Sequence, residues 1–122
     1  MANELTLTAS LDYEDSEGSE DSLQITDLLV SVTTKKFVHV KQNIGTSEEA
    51  LVLGEVTSLG YAIFKNRDAT NFVSIRAGTG GTLIIKLLAG EVAMFRFGSG
   101  VTAPYAIADT SACQLEYVII ST

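Results

Sequence analysis

The chain has one cysteine and one histidine, which raises the question of whether they form a nucleophilic pair. A reactive thiolate needs an adjacent base, and His39 is the one imidazole that could serve Cys113. Cys113 stands in the alternating run ACQLEYVII, where a small buried hydrophobic side chain is the usual role. We therefore predict that Cys113 is a core residue. A Cys113–His39 pair within one sheet stays open as an alternative.

Carboxylates are the second group that could do chemistry. A hydrolase pair needs two acids about 5–10 Å apart, one of them with a raised pKa. Glu48, Glu49, Asp68 and Asp109 all stand at predicted turns, where solvated or turn-capping roles dominate. A zinc site cannot be assembled from one cysteine and one histidine. The sequence thus predicts no catalytic, cofactor-binding or metal-binding residue, and a protein that is not an enzyme.

The Gly-rich run AGTGGTL is the remaining candidate for a ligand-binding loop. It has no phosphate-loop lysine and it precedes a predicted strand, so the anion-binding geometry of a helix N-terminus does not apply. We predict a hairpin loop with residues at positive φ.

Charge is distributed unevenly along the chain. Residues 1–21 contain seven acids and no lysine or arginine, whereas the rest has eight acids and eight bases, so the net charge of −7 belongs to the N-terminal segment. No basic stripe exists to displace counterions from nucleic acid, which we exclude as a partner. The stretch DYEDSEGSED fails the EF-hand pattern because its sixth position is Glu17 and not glycine. A solvated hairpin tip, an irregular Ca²⁺ site and an acidic contact for a basic neighbour remain open.

Seven charged side chains are therefore candidates for a protein interface. Arg76 and Arg96 stand inside apolar strands. Either their stems pack while their heads lie at the sheet edge or pair with Glu91 or Glu116, or they anchor an interface. Phe95 and Phe97 flank Arg96 and should face the opposite side of its sheet. The acidic candidates are Glu14, Asp15, Glu17, Glu20 and Asp21.

Hydrophobic side chains recur with a period of two nearly everywhere, which predicts strands. The run ELTLTASLDY alternates cleanly, and the alternation in SLQITDLLVSVTT slips around Asp27–Leu29 as a bulge would cause. Further strands are predicted in KKFVHVKQ, EALVLG, LGYAIFKNR, NFVSIRAG, GTLIIKLLAG, GEVAMFRFG and QLEYVIIST. Nine or ten strands without intervening helices predict an antiparallel β-sandwich, a jelly roll or a related Greek key. We expect one domain over residues 1–122, with residues 1–21 as an acidic strand and loop.

One segment has the sequence of a helix start. TSEEAL, residues 46–51, resembles a capping box one turn long. The N-terminus lacks the basic start and apolar stretch of a signal peptide, and no run reaches the roughly 18 apolar residues of a membrane span. These features predict that the protein folds where it is made or is carried out by another factor, and that it has no membrane partner.

Three phrases follow one another within residues 42–121: GYAIFKNRDATNFVSI, then KLLAGEVAMFRF, then ADTSACQLEYVII. In these phrases and in their order, the chain resembles small virion proteins of tailed bacteriophages. The resemblance implies a non-enzymatic β-sandwich in which NRDATNF is a turn between core strands and LLAGEVAMFRF is the hairpin after it. Asn66, Asp68 and Asn71 would then be turn formers and not ligands.

The resemblance also implies a function. It favours a capsid decoration (cement) protein, made in the host cytoplasm, that binds the major capsid protein on the outside of the head and stabilises it. We expect no cofactor and a homo-oligomer, a trimer before a dimer. A tail or baseplate component is one alternative, and a carbohydrate- or calcium-binding module is another.

Overall fold

The computed structural model describes residues 4–32 and 35–121, which form ten strands. The parts of the predicted strands and acidic segment at residues 1–3, 33–34 and 122 lie outside the described residues. The strands are β1 (Glu4–Glu14), β2 (Glu20–Ser31), β3 (Phe37–Ile44), β4 (Glu49–Ala50), β5 (Leu59–Asn66), β6 (Val73–Arg76), β7 (Leu83–Leu87), β8 (Val92–Arg96), β9 (Tyr105–Ala108) and β10 (Cys113–Ser121). The chain divides into two compact units, residues 1–35 and 36–122. The single domain over residues 1–122 stays a prediction.

The first unit is a long antiparallel hairpin of β1 and β2, which we call the arm. The predicted bulge is confirmed: Leu7 is opposite Leu28 whereas Ala9 is opposite Ile25, so β2 has one extra residue. Asp27 occupies the bulge with φ 52°, a left-handed conformation that aspartate tolerates better than most residues. The Thr8 hydroxyl accepts a hydrogen bond from the Asp27 amide at 3.2 Å. The bulge restores the alternation, so Leu28 lies on the same face as Ile25.

The arm ends in a tight acidic turn. The Asp15 carboxylate accepts hydrogen bonds from the amides of Glu17 and Ser19, both at 2.9 Å. Gly18 has φ 86°, a conformation that other residues rarely adopt, and its amide donates to the Asp15 carbonyl. The hydrogen bond with the Ser19 amide is the first cause of the lowered pKa of Asp15. Asp15 therefore builds the turn, which is the predicted hairpin tip.

The second unit is an antiparallel β-sandwich of two four-stranded sheets, as the periodicity predicted. The strand order is β3-β10-β5-β8 in one sheet and β4-β9-β6-β7 in the other. Consecutive strands therefore alternate between the sheets from β3 to β6. The alternating side chains of the strands meet between the two sheets. The buried hydrophobic residues of this core are Ile44, Leu51, Val56, Ala62, Phe64, Val73, Ile75, Leu87, Phe97, Ala106, Ala108, Cys113, Leu115, Tyr117 and Ile119.

Turns at one end of the sandwich depend on Asn66, which is fully buried at the end of β5. Its side-chain amide donates to the carbonyls of Asn71, Leu87 and Leu88 at 2.9, 3.1 and 3.2 Å. Its side-chain oxygen accepts a hydrogen bond from the Asp68 amide at 2.9 Å. This one side chain thus joins the β5–β6 turn to the β7–β8 turn. The predicted turn-forming role of NRDATNF is confirmed.

The predicted hairpin in LLAGEVAMFRF is wrong. β7 pairs with β6 and β8 pairs with β5, so these consecutive strands lie in different sheets. A short turn between two apolar runs fits a hairpin or a crossing between packed sheets equally well. Here the turn crosses, because the amide of Gly90 donates to the carbonyl of Asn66 and the amide of Asn66 donates to the carbonyl of Glu91.

Of two local predictions before β5, one is wrong and one is confirmed in part. TSEEAL forms a bend and not a helical turn, because its two acids bind elsewhere. The Glu49 carboxylate accepts the Gly45 amide at 3.2 Å, and Glu48 contacts β6 and the loop after it. The strand in EALVLG is limited to two residues, although Leu51 enters the core. The loop in AGTGGTL is a β6–β7 hairpin as predicted, with Gly80 at φ 61°.

Candidate functional site

The arm has one apolar face that is largely open to solvent. Cross-strand partners on this face are Leu11 with Leu23, Ala9 with Ile25 and Leu7 with Leu28. Leu11 is 64% exposed and Leu23 is 65% exposed. An isolated two-stranded hairpin is marginal in water, because it buries too little surface to offset the ordering of its backbone. The alternation of these residues was predicted from the sequence, whereas their exposure was not.

The polar face and tip of the arm concentrate negative charge. Glu14 and Glu20 are directly opposite each other in the ladder, an arrangement that destabilises a strand pair. Glu17 is in the turn, and Asp21 is opposite Tyr13. Four of the five predicted acidic residues (Glu14, Glu17, Glu20 and Asp21) thus cluster at the tip as exposed side chains, while the fifth builds the turn. A cationic partner would relieve the repulsion between these carboxylates.

The sandwich has a second open apolar surface, on the side of the β3-β10-β5-β8 sheet that faces away from the core; we call it the outer face. Its middle row across the four strands is His39, Val118, Ile63 and Met94. Ile63 is 44% exposed, and Phe37 in the next row is 64% exposed. The exposure of these residues was not predicted from the sequence. Strands β5 and β8 are apolar on both faces, a pattern that usually indicates burial on both sides.

Cations border the outer face on one side. Lys41 and Lys65 are opposite Glu116 on the strands either side of it, in the row next to Val118 and Ile63. Arg67 follows β5 and donates to Glu116 at 2.8 Å. This end therefore has three cations against one carboxylate.

Glu116 organises that cationic end. Its carboxylate contacts Nε2 of His39 and Nη1 of Arg67, each at 2.8 Å. The hydrogen bond with His39 is the main cause that lowers the pKa of Glu116, with Arg67 and Lys41 adding their positive charge. Glu116 is therefore ionised at neutral pH and holds two of the surrounding side chains in place.

Arg76 has an intramolecular partner. It donates to Glu48 at 2.8 Å, and the same carboxylate accepts from the Thr79 hydroxyl and the Gly80 amide. The hydrogen bonds from Thr79 and Gly80, then that from Arg76, lower the pKa of Glu48. The predicted pairing with Glu91 or Glu116 is thus wrong for Arg76, whose head joins β6 to the segment before β4. Its role at an interface stays a prediction.

Arg96 lies at the apolar end of the outer face. Its guanidinium carbon is 4.6 Å from the centre of the Tyr61 ring, a cation–π contact. Phe95 and Phe97 point the other way and pack together at 5.0 Å between ring centres, as predicted. Arg96 therefore shares a surface with Phe37 and Ile63, which is where an interface anchor would be expected.

Cys113 and His39 belong to neighbouring strands but lie on opposite faces of their sheet. Cys113 is buried and its thiol contacts the carbonyls of Asn71 and Phe72 at 3.6 and 3.5 Å. Burial is the main cause that raises the pKa of this thiol. His39 faces outward toward Glu116. The predicted core role of Cys113 is confirmed, and the two side chains do not meet.

The other acids of the sandwich have structural partners. Asp68 accepts hydrogen bonds from the backbone amides of Asn71 and Thr70. These two hydrogen bonds lower the pKa of Asp68, and the one from Asn71 has the larger effect. A general acid would need a raised pKa, which neither Asp68 nor Glu48 has. Within residues 4–32 and 35–121, no group of three or more His, Cys, Asp or Glu side chains is arranged to hold a metal ion.

In the part of the chain that the structure describes, no helix is long and apolar enough to cross a membrane. Comparison with known family models, curated proteins and solved structures gives no match.

Proposed function

We propose that this protein is a non-enzymatic structural component of a tailed-phage particle, a decoration protein that binds the major capsid protein on the outside of the head. The observation that carries the proposal is the arm, a 28-residue hairpin (Glu4–Ser31) with an open apolar face and an acidic tip. Such an element gains stability by lying on another protein surface.

The strand order of the sandwich supports the proposal. Numbered from β3 to β10 as strands one to eight, the sheets run 1-8-3-6 and 2-7-4-5. This order fits a jelly roll, an architecture that recurs in viral capsid proteins and in lectins. The fold alone does not determine function, so the choice between these classes rests on the phage-like phrases of residues 42–121.

Reconstitution tests the proposal. Phage heads prepared without this chain are incubated with the purified protein and sedimented, and heads that already carry the chain serve as the control. We expect saturable uptake by the bare heads, little uptake by the control heads, and a higher disruption temperature of the decorated heads. Absence of uptake would overturn the proposal.

Imaging distinguishes the head from the tail. Virions that carry a label on this chain should show it over the outside of the head. Label confined to the tail or baseplate would replace decoration with a tail function that uses the same sandwich.

A further inference from the structure

We infer that the apolar face of the arm docks on the outer face of the sandwich in a second copy of this chain. This interaction surface does not depend on a capsid, so it can be tested separately from the proposed function. Three properties of the two surfaces support it: their apolar character, their dimensions and the order of their charges.

Both surfaces present aliphatic side chains at strand spacing. The arm presents Leu11, Leu23 and Ile25, of which the two leucines are more than 60% exposed. The outer face presents Ile63 and Met94, which are 44% and 37% exposed. Sheets pack face to face through such rows, about 10 Å apart, when their strands are roughly aligned.

The arm fits within the width of the outer face. Strand β1 has 11 residues, which at about 3.3 Å per residue makes an arm about 36 Å long and two strands wide. Four strands about 4.8 Å apart give the outer face a width of about 19 Å, and its longest strand, the nine-residue β10, gives it a length of about 30 Å. Over that length one docked arm covers about 290 Å² on each partner, and reciprocal docking of two arms brings the total to about 1,150 Å², above the roughly 1,000 Å² expected of a specific interface.

Opposite charges meet when the arm is laid along the strands with its tip at the cationic end. On the apolar face of the arm, the row of Leu11 and Leu23 is followed toward the tip by Asp21, opposite Tyr13. On the outer face, the apolar row of Ile63 is followed by the row with Lys41 and Lys65. This alignment places the Asp21 carboxylate near the two ammonium groups while the leucines cover the apolar row.

A mixed crosslinking experiment tests the contact directly. Cys113 is buried, so a cysteine added at the surface is the reactive one. Chains with Leu23→Cys and chains with Ile63→Cys are prepared separately, mixed and oxidised. We expect a disulfide between the two kinds of chain in excess of either self-crosslink. A mixture of Leu23→Cys with Leu83→Cys, in the edge strand β7 of the other sheet, is the matched control and should crosslink weakly.

Sedimentation equilibrium measures the strength of the association. Leu11→Ser with Leu23→Ser should raise the dissociation constant at least about tenfold, because two leucines lose their burial in the interface. Leu83→Ser should leave the constant within about twofold. Circular dichroism checks that the variants are folded.

Charge reversal identifies the direction of docking. Asp21→Lys should weaken association, and so should Lys41→Glu with Lys65→Glu. The chain with all three changes should recover it, and high salt should weaken association of the unaltered chain. A monomeric full chain, an excess of arm-to-arm crosslinks, or no recovery in the threefold variant would overturn the inference.

Discussion

Asn66→Asp replaces the buried amide that joins two turns of the sandwich by a group of the same shape. Asn66 donates to three carbonyl oxygens, those of Asn71, Leu87 and Leu88, and it is fully buried. The carboxylate has no N–H to donate. The loss of two N–H donors, at about 1 kcal/mol each, should lower the free energy of unfolding by about 2 kcal/mol.

Ionisation adds to that cost. A buried site lined by carbonyl oxygens disfavours negative charge, so it raises the pKa of the new carboxyl. Each tenfold weakening of this acid by folding lowers the free energy of unfolding by about 1.4 kcal/mol at a pH where the unfolded chain has the group ionised. An acid weakened about tenfold to a hundredfold brings the total to about 3–5 kcal/mol at pH 7. Because the folded pKa is raised, this part of the cost is absent below the unfolded pKa of about 3.9 and grows as pH rises toward the folded pKa.

Urea unfolding followed by far-UV circular dichroism measures the effect at pH 7 and near pH 4. Asn43→Asp makes the same charge change at an exposed position of β3 and should alter the free energy of unfolding by less than about 0.5 kcal/mol. A loss in Asn66→Asp equal to that of the control, or a larger loss near pH 4 than at pH 7, would refute the reasoning.

Three other changes probe the sandwich and the arm. Tyr117→Phe removes a buried hydroxyl that lies 2.8 Å from the Val52 carbonyl, and urea unfolding should show a loss of about 1–2 kcal/mol. Burial raises the pKa of Tyr117 to about 12, so one tyrosine should ionise late in an absorbance titration of the folded chain, and the variant should lack that late step. The lowered pKa of Glu116, held mainly by its hydrogen bond with His39, contributes stability above its unfolded pKa that is lost as pH falls through the folded pKa. The urea midpoint of Glu116→Gln should therefore lie below that of the unaltered chain at pH 6 and converge with it near pH 3; a constant difference would contradict this. Asp27→Gly should preserve the bulge and Asp27→Val should destabilise it by about 1–2 kcal/mol, read as faster amide exchange in β2; equal exchange in both would argue against the bulge.

The fold class was predictable because alternation is a local property. A period of two in β1, β2 and β10 specifies strands and their apolar face, and a break in that period located the bulge at Asp27. The number of strands followed from the turn residues between them.

Partner choice was less predictable, because it depends on contacts distant in sequence. The short turn after β7 gives no sign that β8 joins the other sheet, a choice stabilised by the side chain of Asn66, 21 residues before Leu87. Arg76 likewise binds Glu48 and not the acids expected from the sequence, since the fold brings together residues 28 positions apart.

The candidate surfaces were predictable in part. Seven charged residues were singled out, and the structure places Glu14 and Glu20 at the arm tip and Arg96 on the outer face. The exposed aliphatic residues were missed, because a strand that is apolar on both sides reads as buried whether or not a second layer covers it.

The pairing of β3 with β10 has a mechanical consequence. Phe37, where the sandwich begins, is directly opposite Ile120, near the end of β10. A force that pulls these two points apart acts across the ladder and loads its hydrogen bonds one after another, like a zipper. Strands loaded along their length would instead share the force among all bonds. The sandwich should therefore open at low force when it is pulled from residues 37 and 120 in an optical trap, and resist far more when it is pulled from residues 37 and 114, at opposite ends of the β3–β10 pair.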